Sequence, residues 1–238
     1  MTILKKVFLL LFLFIAFSCK SVKEVRLANQ YIANEEIEKI KKSPSKTNSF
    51  ISFEDNIDTT FVNLKNYSND FVLDIKYATS DNFLNEKVYD CAACYLRLKT
   101  VKSLINANKD FIEKGYRIKI FDCYRPLDVQ KRMWEIVSNP DYVADPSKGS
   151  IHNRGGAVDI TLVDSNGNDI DMGTSFDFFG VEASHDYQNL SEEVKNNRKL
   201  LKEVMLKNNF KSFDSEWWHY NLKDSNLDNL SNFKWKCD

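Results

Sequence analysis

Histidine is scarce, with three residues in a chain of 238, and neither sign of charge is in surplus, since 33 Lys and Arg stand against 34 Asp and Glu. A near-zero net charge with the two signs interspersed lacks the electrostatic footprint of a nucleic-acid binder. The densest basic run, Lys39-Ile40-Lys41-Lys42, directly follows Glu38 and reads as a solvated face. No internal repeat or low-complexity tract is present. The one long apolar run, Val7 to Phe17, is too short to span a bilayer comfortably as a helix. Cys91-Ala-Ala-Cys94 has no second such pair and no thioredoxin-like surroundings, which argues against a zinc knuckle or a redox motif.

Lys5-Lys6, the run to Phe17 and then Ser18-Cys19 follow the basic, hydrophobic, small-residue order of a secretory signal. Ala16-Phe17-Ser18-Cys19 resembles a loose bacterial lipobox, so residues 1–18 are expected to be removed and Cys19 acylated, making the chain a membrane-anchored envelope lipoprotein. A plain cleaved signal with Cys19 incidental is the alternative. Residues 19–58, rich in Lys, Asn, Ser and Glu, are expected to be a tether, with a short helix within Val25 to Ile40. Residues 59–238 have the length and apolar content of one domain. Cys91, Cys94, Cys123 and Cys237 remain there, in a compartment that permits disulfides. Four thiols allow three complete pairings, and structural disulfides or buried free thiols are both open.

Alternation marks strands at Phe71 to Tyr77, Arg117 to Phe121, Ala157 to Val163 and Trp217 to Leu222. Helical spacing marks Tyr95 to Lys114, closed by Gly115, then Leu127 to Val137, and a stretch from Ser191 to about Asn208 that Ser191 is placed to cap. Asp164-Ser-Asn166-Gly167-Asn is a turn signal. The expected fold is α+β, a small, mainly antiparallel sheet with helices packed on it and the functional site at the sheet.

Two of the three histidines fall in informative places. Ser150-Ile-His152-Asn-Arg-Gly155-Gly-Ala157-Val-Asp159 and Glu216-Trp217-Trp218-His219 supply two imidazoles and a carboxylate. Catalytic zinc takes three such ligands and keeps a fourth position for water, whereas structural zinc is closed by four, mostly thiolates. His152, Asp159 and His219 fit the open kind. Gly155 and Gly156 disfavour a helix between the first two, so a loop running into a strand must align them. His185 sits in a polar stretch without ligand-like spacing.

Glu216 is the candidate to take a proton from water. Residues three apart on a regular strand face opposite ways, so Glu216 and His219 can share a site only if a turn or bulge intervenes. Arg125, in Tyr124-Arg125-Pro126 at a strand end, is the available donor for an oxyanion.

These motifs, together with Lys76-Tyr77-Ala78-Thr79, Asn82-Phe83, Asp122-Cys-Tyr124-Arg125-Pro126 and Asp171-Met-Gly-Thr174-Ser-Phe176-Asp177, resemble those of the zinc D-alanyl-D-alanine dipeptidases, the VanX-like family. The resemblance covers the domain from Thr59 onward. It implies His152, Asp159 and His219 as ligands of one Zn2+, Glu216 as general base and later proton donor, and Arg125 as stabiliser of the transition state. It also implies that Asp177 holds the substrate's ammonium, with Ser150 and Tyr77 in the substrate pocket. Phe176, Phe178 and Phe179 read as core or pocket wall. The expected activity is hydrolysis of D-Ala-D-Ala or a close dipeptide in the cell envelope, without a nucleic-acid or obligate protein partner. A stem-peptide carboxypeptidase or endopeptidase, and a noncatalytic cell-wall-binding lipoprotein, are the competing readings.

Overall fold

The computed structural model describes residues 50–237. The signal segment, Cys19 and the helix expected within Val25 to Ile40 lie outside them. Phe50–Asp238 cluster as one compact unit. The end of the expected tether runs along it, with Ile51 N–H donating to the Asn66 carbonyl and Phe53 stacked on Tyr67. Among the described residues no helix is long and apolar enough to cross a membrane.

The strands are β1 (Phe61–Asn63), β2 (Val72–Leu73), β3 (Tyr95–Arg97), β4 (Tyr116–Asp122), β5 (Ala157–Asp164), β6 (Phe210–Phe213) and β7 (Glu216–Leu222). The helices are α1 (Leu98–Ile112), α2 (Leu127–Ile136) and α3 (Glu192–Lys207), and short 3-10 turns punctuate the loops. The main sheet runs β2-β4-β5-β7-β6, antiparallel except for the β2–β4 pair, and β1 pairs with β3 separately. The expected α+β architecture is the one observed.

On β5, Val158, Ile160 and Leu162 are fully buried in the core cluster with Ile118 and Ile120 of β4. Leu98, Val101, Leu104 and Phe111 of α1 and Leu201 and Met205 of α3 join the same core, and α1 and α3 also contact each other. Truncating one of these leucines to alanine costs about 2–5 kcal/mol. Because strand side chains alternate, Asp159 points to the other face. The core therefore leaves β5 one face for chemistry.

Asn108, a buried polar residue of α1, is satisfied by accepting from Ile118 N–H at 2.8 Å and donating to the Asp70 carbonyl at 3.1 Å. Gly115, at φ 85°, follows α1 as expected. Ser191 caps α3, its hydroxyl accepting from Val194 N–H.

Two local expectations are corrected. Of the strand expected over Phe71 to Tyr77, only Val72–Leu73 pairs, and Lys76–Ala78 forms a 3-10 turn that buries Tyr77 and sends its hydroxyl to Asp177. The helix expected from Tyr95 begins at Leu98, because Tyr95–Arg97 is drawn into β3 by pairing with β1.

The four cysteines among the described residues form two disulfides, Cys91–Cys237 and Cys94–Cys123. The first clips down a C-terminal segment whose Phe233 stacks on Phe61 and whose Trp235 stacks on Tyr95.

Candidate active site

Asp159 and His219 are direct partners across the β5–β7 ladder. Opposed residues present their side chains on the same face, and His219 Nδ1 lies 3.0 Å from Asp159 Oδ1. His152 arrives from a 3-10 turn, His152–Arg154, that closes on Gly155 at φ 74°. A Cβ at Gly155 would stand 2.4 Å from the Phe61 ring, so both the backbone angle and the space require glycine. The turn sets His152 Nε2 3.3 Å from Asp159 Oδ2 and 3.3 Å from His219 Nδ1. All three ligand atoms lie within 4.8 Å of one another.

Each imidazole is aimed from behind. His152 Nδ1–H donates to the Cys123 carbonyl at 2.6 Å, and His219 Nε2–H donates to Asn221 Oδ1 at 2.9 Å. Carbonyl oxygens only accept, so these contacts fix the tautomers and turn the lone pairs of His152 Nε2 and His219 Nδ1 toward Asp159. Orienting acceptors of this kind accompany metal-ligating histidines. Two nitrogens and a carboxylate, so prepared, could hold one divalent ion with room for a further ligand.

Burial opposes ionisation of Asp159, yet the charge and hydrogen bonds of His152 and His219 prevail and hold its carboxyl below the usual range. Burial likewise opposes protonation of His219, and the hydrogen bond and charge of Asp159 outweigh it, raising its pKa.

The bulge that Glu216 requires is present. Pairing between β6 and β7 passes from Ser212↔Tyr220 to Phe213↔Glu216, leaving Trp217, Trp218 and His219 without β6 partners. Two consecutive tryptophans are buried there, a break in strand alternation. Glu216 Oε2 comes to 4.0 Å from His219 Nδ1. Burial pushes the Glu216 carboxyl up, against the opposing charge of His219.

A second bulge, between Ile120 and Asp122 on β4, accompanies the strand end that carries Arg125. Arg125 Nη2 donates to Asp122 Oδ2 at 2.7 Å, and Nη1 donates to Gln130 Oε1 at 3.0 Å. Tyr89 donates to the other Asp122 oxygen at 2.7 Å. The guanidinium carbon lies 5.2 Å from the centre of the Tyr77 ring, and Nε is buried without a partner. Burial works against the charge, but Asp122 outweighs it and the Arg125 pKa is raised.

Asp177 sits at φ 56° and accepts from Tyr77 OH at 2.9 Å. Burial, seconded by the charge of Asp159, holds its carboxyl well above the ordinary range despite that hydrogen bond. Ser150 N–H and Oγ both donate to Asn153 Oδ1, at 2.7 and 3.1 Å, and Asn153 Nδ2 donates to the Arg125 carbonyl.

A cavity of about 570 Å³ joins these walls, and Tyr77, Arg125, Ser150, His152, Asp159, Asp177, Glu216 and His219 all line it. Every site residue named from the sequence within residues 50–237 is brought together. Phe176 packs on Phe121 and Trp218, and Phe179 stacks on Tyr142 in the cavity wall. Phe178, 40% exposed, belongs neither to the core cluster nor to the lining of this cavity. His185 stands in a separate polar groove, its pKa lowered to about 4 by burial and by Lys202 and Arg198.

Asp122, Gln130, Asn153 and Asn221 have no role among the sequence-based expectations. Asn221 could have been found, because it lies two residues beyond His219 and so shares its face of the strand.

The profile of the peptidase M15 family, described as D-Ala-D-Ala dipeptidase, matches residues 57–235. The chain is 36% identical over 165 residues to the D-alanyl-D-alanine dipeptidase of Escherichia coli K12, covering 69% of this chain and 85% of that protein. It is 29% identical over 175 residues to the D-alanyl-D-alanine dipeptidase of Enterococcus faecium, covering 63% of this chain and 85% of that protein. The protein of the same description in Enterococcus faecalis V583 is 28% identical over 175 residues, with the same coverages.

Proposed function

Since the chain belongs to the D-Ala-D-Ala dipeptidase family of M15 metallopeptidases, we propose that it hydrolyses D-alanyl-D-alanine, or a close D-amino-acid dipeptide, with the help of one zinc ion. The observation that carries this reading is the convergence of His152, Asp159 and His219 with Glu216 beside them, in a cavity that Asp177 bounds.

His152 Nε2, His219 Nδ1 and an Asp159 oxygen would hold the metal. Bound there, zinc supplies Lewis acidity that makes water a nucleophile near neutral pH and polarises a carbonyl. Glu216 takes the proton of the attacking water and returns it to the leaving amine, a cycle helped by a carboxyl that burial already holds above its ordinary range. Arg125, immobilised by Asp122 and Gln130, offers N–H donors where negative charge develops on the former carbonyl oxygen. Asp177 pairs with the free ammonium of the substrate, while Tyr77 holds the carboxylate in place and Ser150 lines the pocket. An acid opposite the ammonium selects for a free amino terminus, and so for dipeptides over longer chains.

The amino-terminal signal pattern supports the reading that this chemistry takes place in the cell envelope, on a chain anchored through acylated Cys19. An enzyme so placed would trim or salvage cell-wall dipeptides.

The test is Glu216→Ala in the purified zinc protein. Zinc content should be retained, while D-Ala-D-Ala turnover falls by about 10²–10⁴-fold. Equal turnover in variant and parent eliminates the proposed base. Stem peptides assayed alongside separate a dipeptidase from a carboxypeptidase or endopeptidase.

A further inference from the structure

Both backbone groups of Cys123 face functional residues. Its carbonyl accepts from His152 Nδ1–H at 2.6 Å, and its N–H donates to Asp122 Oδ1 at 2.9 Å. The following residues are tied to the same region, Tyr124 N–H to the Tyr95 carbonyl at 3.0 Å and Arg125 N–H to the His152 carbonyl at 3.1 Å. Yet β4 ends at Asp122, whose pairing with Asp159 is the last rung of the β4–β5 ladder. Cys123 lies beyond the ladder and still has to hold a carbonyl at a fixed point.

The covalent restraint at that point is the bond to Cys94. Both cysteines are essentially inaccessible, and Cys94 is itself fixed, its carbonyl accepting from Leu64 N–H just ahead of β3. The other disulfide does a different job. Cys91–Cys237 secures the C-terminal segment, Trp235 donating to Cys91 Sγ, and lies nearer the surface.

We propose that the Cys94–Cys123 disulfide is a positioning element of the metal site, pinning the Cys123 carbonyl so that His152 keeps its Nδ1–H tautomer and its Nε2 stays turned toward Asp159 and His219. This rests on the metal reading of the three-residue cluster. Removing the restraint leaves the carbonyl to hydrogen bonds alone, and losing an orienting partner of this kind typically weakens metal binding ten- to a hundredfold. Maturation of the site is thereby coupled to thiol oxidation. The bond forms when Cys94 and Cys123 together give up two protons and two electrons to a disulfide-donating oxidant, which is reduced to its dithiol.

The experiment compares the full chain with Cys94→Ala/Cys123→Ala and with Cys91→Ala/Cys237→Ala. Zn2+ affinity is measured by competition with a chromophoric chelator. The His152 Nδ1–H resonance is followed in the metal-free proteins by NMR, with near-ultraviolet circular dichroism as the check on folding. The first variant should bind Zn2+ roughly ten- to a hundredfold more weakly and lose the protected Nδ1–H signal, and the second should match the parent in both.

If the first variant does not fold, graded reduction of the parent replaces it. The exposed Cys91–Cys237 bond should open without effect, and affinity should fall when the buried bond opens. Parent-like affinity together with a protected Nδ1–H in folded protein lacking the Cys94–Cys123 bond overturns the proposal. Parent protein that binds no Zn2+ overturns the metal reading and this inference together, a result distinct from equal binding by parent and variant.

Discussion

Glu216 and His219 lie three positions apart on β7 and yet face one cavity, Glu216 Oε2 standing 4.0 Å from His219 Nδ1, because β6 leaves Trp217 through His219 unpaired. The bulge fixes how far the carboxylate reaches. Glu216→Asp shortens the side chain by one methylene while the bulge and the metal ligands stay in place. A displacement on the order of 1 Å at a reacting group can cost about 10²-fold. We therefore expect kcat on D-Ala-D-Ala to drop about 10²-fold, with zinc content unchanged and KM little altered. Steady-state kinetics beside metal analysis checks this, and a parent-like kcat would mean that the reach of the carboxylate is immaterial.

Asp177 is the residue at which stability and function should conflict. Its folded-state pKa is raised, chiefly by burial and then by the charge of Asp159. The folded chain thus binds that proton more tightly than the unfolded chain does. The resulting stabilisation is complete below the unfolded value and is lost as pH rises through the folded one. At neutral pH the buried carboxyl is therefore a net cost to the folded state. Asp177→Asn removes the ionisable group, keeps an acceptor for Tyr77 OH and tolerates φ 56°. Metal-free Asp177→Asn should therefore gain on the order of 1 kcal/mol at pH 7, or about 2–4 °C in Tm. The gain should shrink toward pH 4, and dipeptide turnover should fall. Thermal melts at both pH values decide it, and an unchanged or lower Tm at pH 7 rejects the assignment of strain to this carboxylate.

How much of this was legible in the sequence follows from the length of each signal. β5 is eight residues with a clear apolar period, and its boundaries were read almost to the residue. β1 and β3 have three residues each and β6 has four, too few for a period to register, and their pairing is set by distant partners. Ile75 and Tyr77 look alternating, but a 3-10 turn buries both equally well. At the site, scarce histidine and ordered motifs exposed the candidate ligands, the candidate base and Arg125. Gln130 and Asn153 stayed hidden because they resemble any surface amide until the fold sets one against the Arg125 guanidinium and the other between Ser150 and the Arg125 carbonyl, whereas Asn221 was marked by its place two residues beyond His219. Disulfide pairing was likewise a matter of three-dimensional proximity.

Gly155 links the His152 turn to β5, so its backbone should transmit to metal affinity. Alanine there would be held at φ 74° with its Cβ 2.4 Å from Phe61 Cε1. A left-handed non-glycine residue and a core overlap each cost about 1–3 kcal/mol. Gly155→Ala should lower stability by at least about 1 kcal/mol in urea titration, and Zn2+ affinity should weaken in the fraction that stays folded. Full affinity in a destabilised variant would separate the turn from the placement of His152.

Arg125 tests whether the site needs a cation or a guanidinium. Lysine would keep the positive charge near Asp122 and so preserve much of the pairing that offsets burial of that acid. It cannot reproduce a planar fork that engages Asp122 through Nη2 and Gln130 through Nη1 while Nε remains uncommitted beside the cavity. A freely rotating ammonium would settle against Asp122 and present no fixed donor to a developing oxyanion. Loss of one such donor costs about 10²–10³-fold in kcat. Arg125→Lys should therefore show a kcat decrease of about that size with zinc content retained, and Arg125→Ala should add a loss of stability from the uncompensated Asp122 charge. If Arg125→Lys turns over at the parent rate, positive charge alone suffices and the fixed fork has no part in stabilising the transition state.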